Sequence, residues 1–283
     1  MNVRGVLDLW DLQPQKGLGQ NFLADPHILQ KIVDAADLDP RDVVLEIGAG
    51  LGNLTELLAS KAGTVVAVEI DRHLIPVLEE NLRGFENVVL VQGDILKLDP
   101  AELVGQATQG QQIQRDYTIV ANLPYYITSA VLRRLLEASL RPARLIMTVQ
   151  LEVARRIVAQ PGNMSVLAVS VQFYGRPKIL FRIKPGSFYP VPAVESAVLQ
   201  VDCYAIPPVP VEDPKLLFRV VRAGFSQRRK QLRNTLSAGL GVSPGRVVSL
   251  LESLSIDPRR RAETLALEEW AGIALGVGSL EVE

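Results

Sequence analysis

Over roughly the first 200 residues, short runs rich in β-branched residues alternate with longer amphipathic ones, a pattern that specifies βαβ units around a mostly parallel sheet. The expected strands are Val43–Ile47, Thr64–Glu69, Val88–Val91, Tyr117–Ala121 and Leu145–Val149. Ahead of them, Asp25-Pro26 reads as a helix start, because Asp caps free amides and Pro suits the first turn. Ile28, Leu29, Ile32, Val33 and Ala36 then mark that helix's apolar face. After a helical Leu151–Ala159, the runs Ser165–Phe173, Ile179–Ile183 and Ala197–Val201 read as strands that complete the sheet. The Gly/Gln-rich stretch from Gly105 to Gln112 has no core pattern and reads as a flexible surface loop.

Pro207-Pro208-Val209-Pro210 is a stiff linker, and the pattern beyond it is helical: Pro214–Gly224, Gln227–Leu236, Pro244–Leu254 and Leu265–Leu275. The sequence therefore divides into an α/β domain, 1–205, and a smaller all-helical domain, 206–283. No internal repeat is evident. With 48% hydrophobic and 22% charged residues, and no apolar run long enough for a membrane span, the chain reads as a soluble protein. Its first residues do not form a secretory signal. One cysteine, Cys203, allows no internal disulfide and fits a reducing cytoplasm, and with only His27 and His73 beside it no metal site is expected. A monomer is the default expectation.

The charge balance, 30 basic against 31 acidic residues, is near neutral, so distribution matters more than the total. Between Arg219 and Arg233 lie Arg222, Arg228, Arg229 and Lys230 with no acid among them, and Arg259-Arg260-Arg261 form a second basic cluster. Basic runs are commonly solvated helix faces; their joint placement in the last third favours contact with phosphates.

Glu46-Ile47-Gly48-Ala49-Gly50-Leu51-Gly52 joins a strand to a helix, where glycines such as Gly48 and Gly50 let a ligand approach the backbone at the carboxyl edge of the sheet. A nicotinamide dinucleotide fingerprint spaces its glycines G-x-G-x-x-G, whereas these are two apart. Glu46, Glu69, Asp71 and Asp94 fall at strand ends. Such a rim repels a pyrophosphate but suits the sulfonium and ribose hydroxyls of S-adenosylmethionine. Glu69 is placed to accept both ribose hydroxyls and Asp94 the adenine amine, although a surface acid and a turn cap are the plainer readings.

Asn122-Leu123-Pro124-Tyr125 follows the fourth expected strand. An aromatic amine is a poor nucleophile because its lone pair is delocalised into the ring, so its hydrogens must be bound and its plane held. The Asn122 side chain and the Leu123 carbonyl are acceptors, Pro124 stiffens the turn, and Tyr125 offers a stacking face. The tetrapeptide reads as an amine clamp for methyl transfer. Phe188, followed by Tyr189-Pro190-Val191-Pro192, is expected on a rigid loop as a second stacking face, with ordinary core packing as the alternative.

Gln20-Asn21-Phe22-Leu23, Glu46 to Thr55, Asn122 to Tyr125, Ser187 to Pro192 and Phe225 to Asn234 together resemble the successive motifs of the ribosomal RNA small-subunit adenine dimethyltransferases, the kasugamycin-sensitivity methyltransferases, from about Gln15 to Leu265. The resemblance implies a Rossmann-like class I S-adenosylmethionine-dependent methyltransferase domain. It implies transfer of two methyl groups to the N6 amine of each of two adjacent adenosines near the 3′ end of small-subunit rRNA, with immature small subunits as partner. By position it implies cofactor contacts at Asn21, Leu23, Gly48, Glu69, Asp94 and Asn122; the acid-free basic run makes Arg222, Arg228, Arg229, Lys230 and Arg233 the expected RNA contacts. The alternatives are a large-subunit enzyme of the macrolide-resistance type, a mainly non-catalytic assembly factor, and a small-molecule or DNA amino methyltransferase. The chain departs from the family's pattern in an apparent insertion at 105–114 and a shortened segment at 160–165.

Overall fold

The structure, a computed structural model, describes residues 2–107 and 117–281. In chain order its elements are α1 Val3–Leu9, β1 Phe22–Leu23, α2 Pro26–Ala36, β2 Val43–Ile47, α3 Asn53–Ala59, β3 Thr64–Glu69, α4 Ile75–Asn81, β4 Val88–Gln92, α5 Pro100–Ala107, β5 Tyr117–Asn122, α6 Thr128–Leu136, β6 Arg144–Gln150 and α7 Leu151–Ile157. They continue with α8 Val166–Tyr174, β7 Gly175–Ile183, β8 Phe188–Tyr189, β9 Ser196–Cys203, α9 Pro214–Gly224, α10 Leu232–Leu240, α11 Pro244–Ser253 and α12 Leu267–Glu281. Among the described residues, no helix is long and apolar enough to cross a membrane.

One compact unit comprises Met1–Ala154 and Arg176–Cys203. Its main sheet runs β4-β3-β2-β5-β6-β9-β7, with β4 through β6 parallel and β9 antiparallel to β6. Parallel strands are covered on both faces, so their residues are apolar without strict alternation: Val44, Leu45, Val65, Val66, Ile119 and Val120 are wholly buried. The helix α2 begins as its sequence requires. Asp25 accepts from the amides of His27 and Ile28, Pro26 fills the first position, and Leu29, Ile32, Val33 and Ala36 enter the core while Ile28 stays partly exposed.

A second, two-stranded sheet pairs Phe22 with Tyr189 and Leu23 with Phe188. Phe188 thus lies on a short strand and not on the loop expected from its prolines.

The other compact unit comprises Arg155–Gly175 and Tyr204–Glu283. It therefore takes in a segment that precedes residue 205. The expected strand Ser165–Phe173 is the helix α8: Ser165 accepts from the Ala168 amide, and Ala168, Val169, Val171 and Phe173 are buried. A nine-residue apolar run has no period to separate helix from strand, and the cap decides it. The helix α9 matches its expected span, but Gln227–Gln231 is a turn and α10 starts only at Leu232. Helix α9 packs on α8, α10 and α12, with Trp270 as the largest fully buried side chain. Within the Gly105–Gln112 stretch, Gly105, Gln106 and Ala107 close α5 instead of opening a loop, and the remainder lies outside the described residues.

Candidate active site

The parallel strands β2, β3, β4 and β5 end at one edge of the sheet, where backbone groups are free to meet a ligand. There β2 gives way to a turn in which Gly48, Gly50 and Gly52 all take left-handed backbone angles, φ 80°, 62° and 90°. Side chains rarely tolerate this region, and a Cβ on Gly50 would lie 3.2 Å from the Phe22 ring. The turn is fastened by Gly48 and Ala49 amides donating to the Val68 carbonyl at 2.8 and 3.2 Å.

Glu69 closes β3 and is 5% exposed. The Gly50 amide donates to its Oε2 at 2.8 Å and the Asp71 amide to its Oε1 at 2.9 Å. Burial raises the carboxyl's pKa, while these two amides pull it back. Each oxygen keeps a second lone pair, so the carboxylate is held in place and can still accept.

A cavity of about 260 Å³ adjoins this edge, and Asn21, Gly48, Gly50, Glu69, Asp94 and Asn122 line it together with Leu123, Pro124, Tyr125 and Phe188. The sequence candidates therefore converge, with one exception. Leu23 is in the core, beside a separate recess of about 40 Å³ behind the glycine turn.

Inside the cavity Asn122 donates its side-chain amide to the Asn21 carbonyl at 3.3 Å, so its Oδ1 is the atom left to accept. The Tyr125 hydroxyl is bonded to Ser196 Oγ at 2.7 Å, which fixes the ring, and burial raises its pKa. Phe188 is 3% exposed and belongs to the core cluster as well as to the cavity wall. Asp94 lines the cavity and also accepts from the Leu96 amide at 3.0 Å, as a turn cap does.

Two of the four acids expected on a charged rim are not rim charges. Glu46 is 1% exposed, and burial pushes its carboxyl up to about 8, with the charge of Glu69 adding to this and the neighbouring Thr55 hydroxyl only partly opposing it. Neither Glu46 oxygen completes a hydrogen bond among the described residues. Asp71 instead anchors the N-terminal segment: Gln15 and Gln20 donate to its Oδ2 at 2.9 and 2.8 Å. Burial opposes its ionisation, but the His73 amide, Gln20 and the His73 ring together hold the carboxyl below its usual value.

That anchoring places Leu18, Gly19, Gln20 and Phe22 on the cavity wall, a role the sequence reading did not assign. Tyr126 is also on the wall, without a motif of its own to mark it. The only signal was its position directly after the clamp.

In the second unit, Arg222, Arg228, Arg229, Lys230 and Arg233 are all exposed. Arg228 lies 3.8 Å from Glu263. In the second basic cluster two cations are paired with acids: Arg259, though exposed, pairs with Asp257 at 3.0 Å, and the partly buried Arg260 forks onto Glu269 and bonds the Thr264 carbonyl at 2.7 Å, while Arg261 is exposed.

A parallel sheet with an antiparallel strand beside β6, its glycine turn facing a buried acid at the end of the next strand, is the architecture of a class I S-adenosylmethionine-dependent methyltransferase. The model of the ribosomal RNA adenine dimethylase family matches residues 12–275, and the chain belongs to that family. It is 46% identical over 276 residues to ribosomal RNA small subunit methyltransferase A of Dehalococcoides mccartyi strain CBDB1, covering 96% of this chain and 91% of the relative. It is 48% identical to the protein of the same name from Moorella thermoacetica, covering 93% and 92%. Among solved structures, 23S rRNA methyltransferase ErmE superposes with a TM-score of 0.71 at 28% identity, over 91% of this chain and all of that one. A dimethyladenosine transferase from Plasmodium falciparum shares the fold, with a TM-score of 0.76 at 24% identity over 91% and 98%.

Proposed function

We propose that this protein transfers methyl groups from S-adenosylmethionine to the N6 amines of two adjacent adenosines near the 3′ end of small-subunit rRNA, giving N6,N6-dimethyladenosine in immature small subunits. The observation that carries the reading is Asn122, pinned through its amide to Asn21 so that Oδ1 remains to accept in the cavity that Glu69 and the glycine turn also line. The high identity to proteins named for the small subunit, against 28% to the large-subunit enzyme, favours the small-subunit substrate.

The cavity suits the cofactor. Left-handed glycines leave room beside the backbone, Glu69 keeps lone pairs for two ribose hydroxyls, and Asp94 faces in as an acceptor for the adenine amine. Asn21, Gly48, Gly50 and Asn122 would complete the binding set. S-adenosylmethionine supplies an electrophilic methyl group on a sulfonium centre.

The chain's own residues do the rest. An adenosine amine cannot be reached inside a helix, so the base leaves its stack at a cost of a few kcal/mol. Tyr125 and Phe188 offer aromatic faces, each worth roughly 1–3 kcal/mol in stacking. Asn122 Oδ1 and the Leu123 carbonyl accept the two amine hydrogens, which draws the nitrogen lone pair out of the ring and aims it. The exposed cations of the helical unit, Arg222, Arg228, Arg229, Lys230 and Arg233, hold RNA phosphates, positioning the substrate without reading bases.

Incubating the protein with methyl-labelled cofactor and either immature small or immature large subunits, then mapping the label, tests this. Label on two adjacent adenosines of the small subunit is the expected result. Label on the large subunit alone, or none on either, would overturn it.

A further inference from the structure

We propose that Tyr126 is a second stacking platform, at the lip of the cavity, for the base adjacent to the target adenosine. The inference rests on the reading above, in which one of two neighbouring adenosines occupies the cavity.

Tyr125 and Tyr126 are consecutive in the 3₁₀ turn Tyr125–Ile127. At three residues per turn, neighbouring side chains point about 120° apart. Tyr125 is tied to the interior through Ser196. Tyr126 still lines the cavity and yet is 65% exposed. A single exposed ring is ordinary on a protein surface, so exposure alone assigns nothing.

The support behind this ring is what sets it apart. A Cβ on Gly19 would lie 3.1 Å from Tyr126 Cε1, 3.3 Å from its Cδ1 and 3.2 Å from the Pro124 Cβ. The ring therefore leans on a bare stretch of backbone beside the clamp's proline. Gly19, with φ 61°, is itself held, since its amide donates to Lys16 O at 3.0 Å and its carbonyl accepts from Asn21 Nδ2 at 3.1 Å. The segment is fastened to Asp71 through Gln15 and Gln20. A ring braced in this way presents its open side to whatever enters the cavity and loses little rotamer freedom on contact.

The chemistry of extrusion supplies the occupant. Taking one base out of a strand leaves the adjacent base with an uncovered face. An aromatic ring at the lip re-covers that face, and because every base has a π-face the contact fixes register without selecting identity. With two neighbouring targets, one ring can serve both rounds, because it covers whichever base adjoins the extruded one on that side without selecting its identity.

The test uses the full-length protein on immature small subunits, with Tyr126→Ala, Tyr126→Phe and Tyr126→Trp. Tyr126→Ala is expected to lower kcat/KM by about tenfold, within the range one stacked base is worth, with the loss carried by KM. Affinity for S-adenosylmethionine, read by calorimetry, stays at the wild-type value, which also reports an intact fold. Phe and Trp restore KM. An alanine variant within twofold of wild type, a phenylalanine variant as weak as alanine, or a loss of cofactor affinity would each overturn the assignment. Wild-type protein inert on small subunits would defeat the proposed function and this inference with it, whereas active wild type beside an unaffected Tyr126→Ala defeats this inference alone.

Discussion

Asn122 donates its side-chain amide to the main-chain carbonyl of Asn21, 3.3 Å away and 101 positions earlier in the chain. The bond links the end of β5 to the segment before β1 and selects the side-chain oxygen as the acceptor. Replacing Asn122 by Ala removes both the orientation and the acceptor. We expect kcat to fall by about 10²-fold or more, the scale seen when one preorganised polar contact to a reacting centre is lost. Cofactor affinity should fall less than tenfold, because Glu69 and the glycine turn are untouched. Single-turnover methylation alongside calorimetric binding separates the two effects, and an unchanged single-turnover rate would remove Asn122 from the clamp.

Glu46 gives a pH signature to folding. Its carboxyl lies near 8 in the folded chain through burial, against about 4.5 when unfolded, so the folded state holds the extra proton between those values. Stability from this group is therefore fully present below about pH 4.5 and is lost as pH rises toward 8, at up to about 1.4 kcal/mol per pH unit. The variant Glu46→Gln keeps the neutral shape and cannot ionise. Its melting temperature should match wild type near pH 5 and exceed it by several degrees near pH 8. Parallel curves for the two proteins would show that Glu46 ionises freely in the fold.

Much of this site is legible in the residues because it depends on local chain geometry. The β-branched runs place β2 through β6 within a residue or so at each end, and the left-handed angles at Gly48, Gly50 and Gly52 are those that glycine alone adopts freely. Long-range pairing is not legible. Nothing local to Phe188 announces that it will pair with Leu23, and nothing local to Asp71 shows that Gln15 and Gln20 will reach it. Glu46 looks like a rim charge by position, yet in the fold it is a buried acid with Thr55 of α3 beside it. In the helical unit, the apolar run of α8 lacks the polar face that would have marked it as a helix, and Arg259 and Arg260 look like a basic patch until their acids, Asp257 and Glu269, fold against them.

Tyr125 joins two functions that substitution can separate. Its hydroxyl partners Ser196, which is fully buried, while its ring faces the cavity. Tyr125→Phe keeps the ring and strands the serine hydroxyl, so we expect a stability loss of about 1–3 kcal/mol with turnover within a few-fold of wild type. Tyr125→Ala also removes the stacking face and should cost tenfold or more in kcat/KM. Phe188→Ala is less informative, because emptying a core position costs about 3–5 kcal/mol by itself. Phe188→Leu keeps a large apolar side chain in the core, with a smaller cavity than Ala leaves, and removes the aromatic face, so a leucine variant with wild-type turnover would assign Phe188 to packing alone.

The cations of the helical unit fall into two groups that salt distinguishes. Arg229 and Lys230 are exposed in the turn before α10, and each phosphate they neutralise contributes about 0.7–0.9 to the slope of log affinity against log salt. The double variant Arg229→Ala with Lys230→Ala should lower that slope by about 1.5 and weaken RNA binding without changing the melting temperature. Arg260 should behave in the opposite way. Its guanidinium is partly buried and committed to Glu269 and the Thr264 carbonyl; burial opposes the ionisation of Glu269, but Arg260 and the Ala266 amide together hold its carboxyl below the usual value. Removing Arg260 leaves the partly buried Glu269 carboxylate with the Ala266 amide but without its counter-charge, at about 1–3 kcal/mol. Arg260→Ala is therefore expected to melt earlier while keeping the wild-type salt slope, as measured by filter binding across a range of salt concentrations. A flattened slope in Arg260→Ala, or an unaltered one in the double variant, would reassign which of these cations meets the RNA.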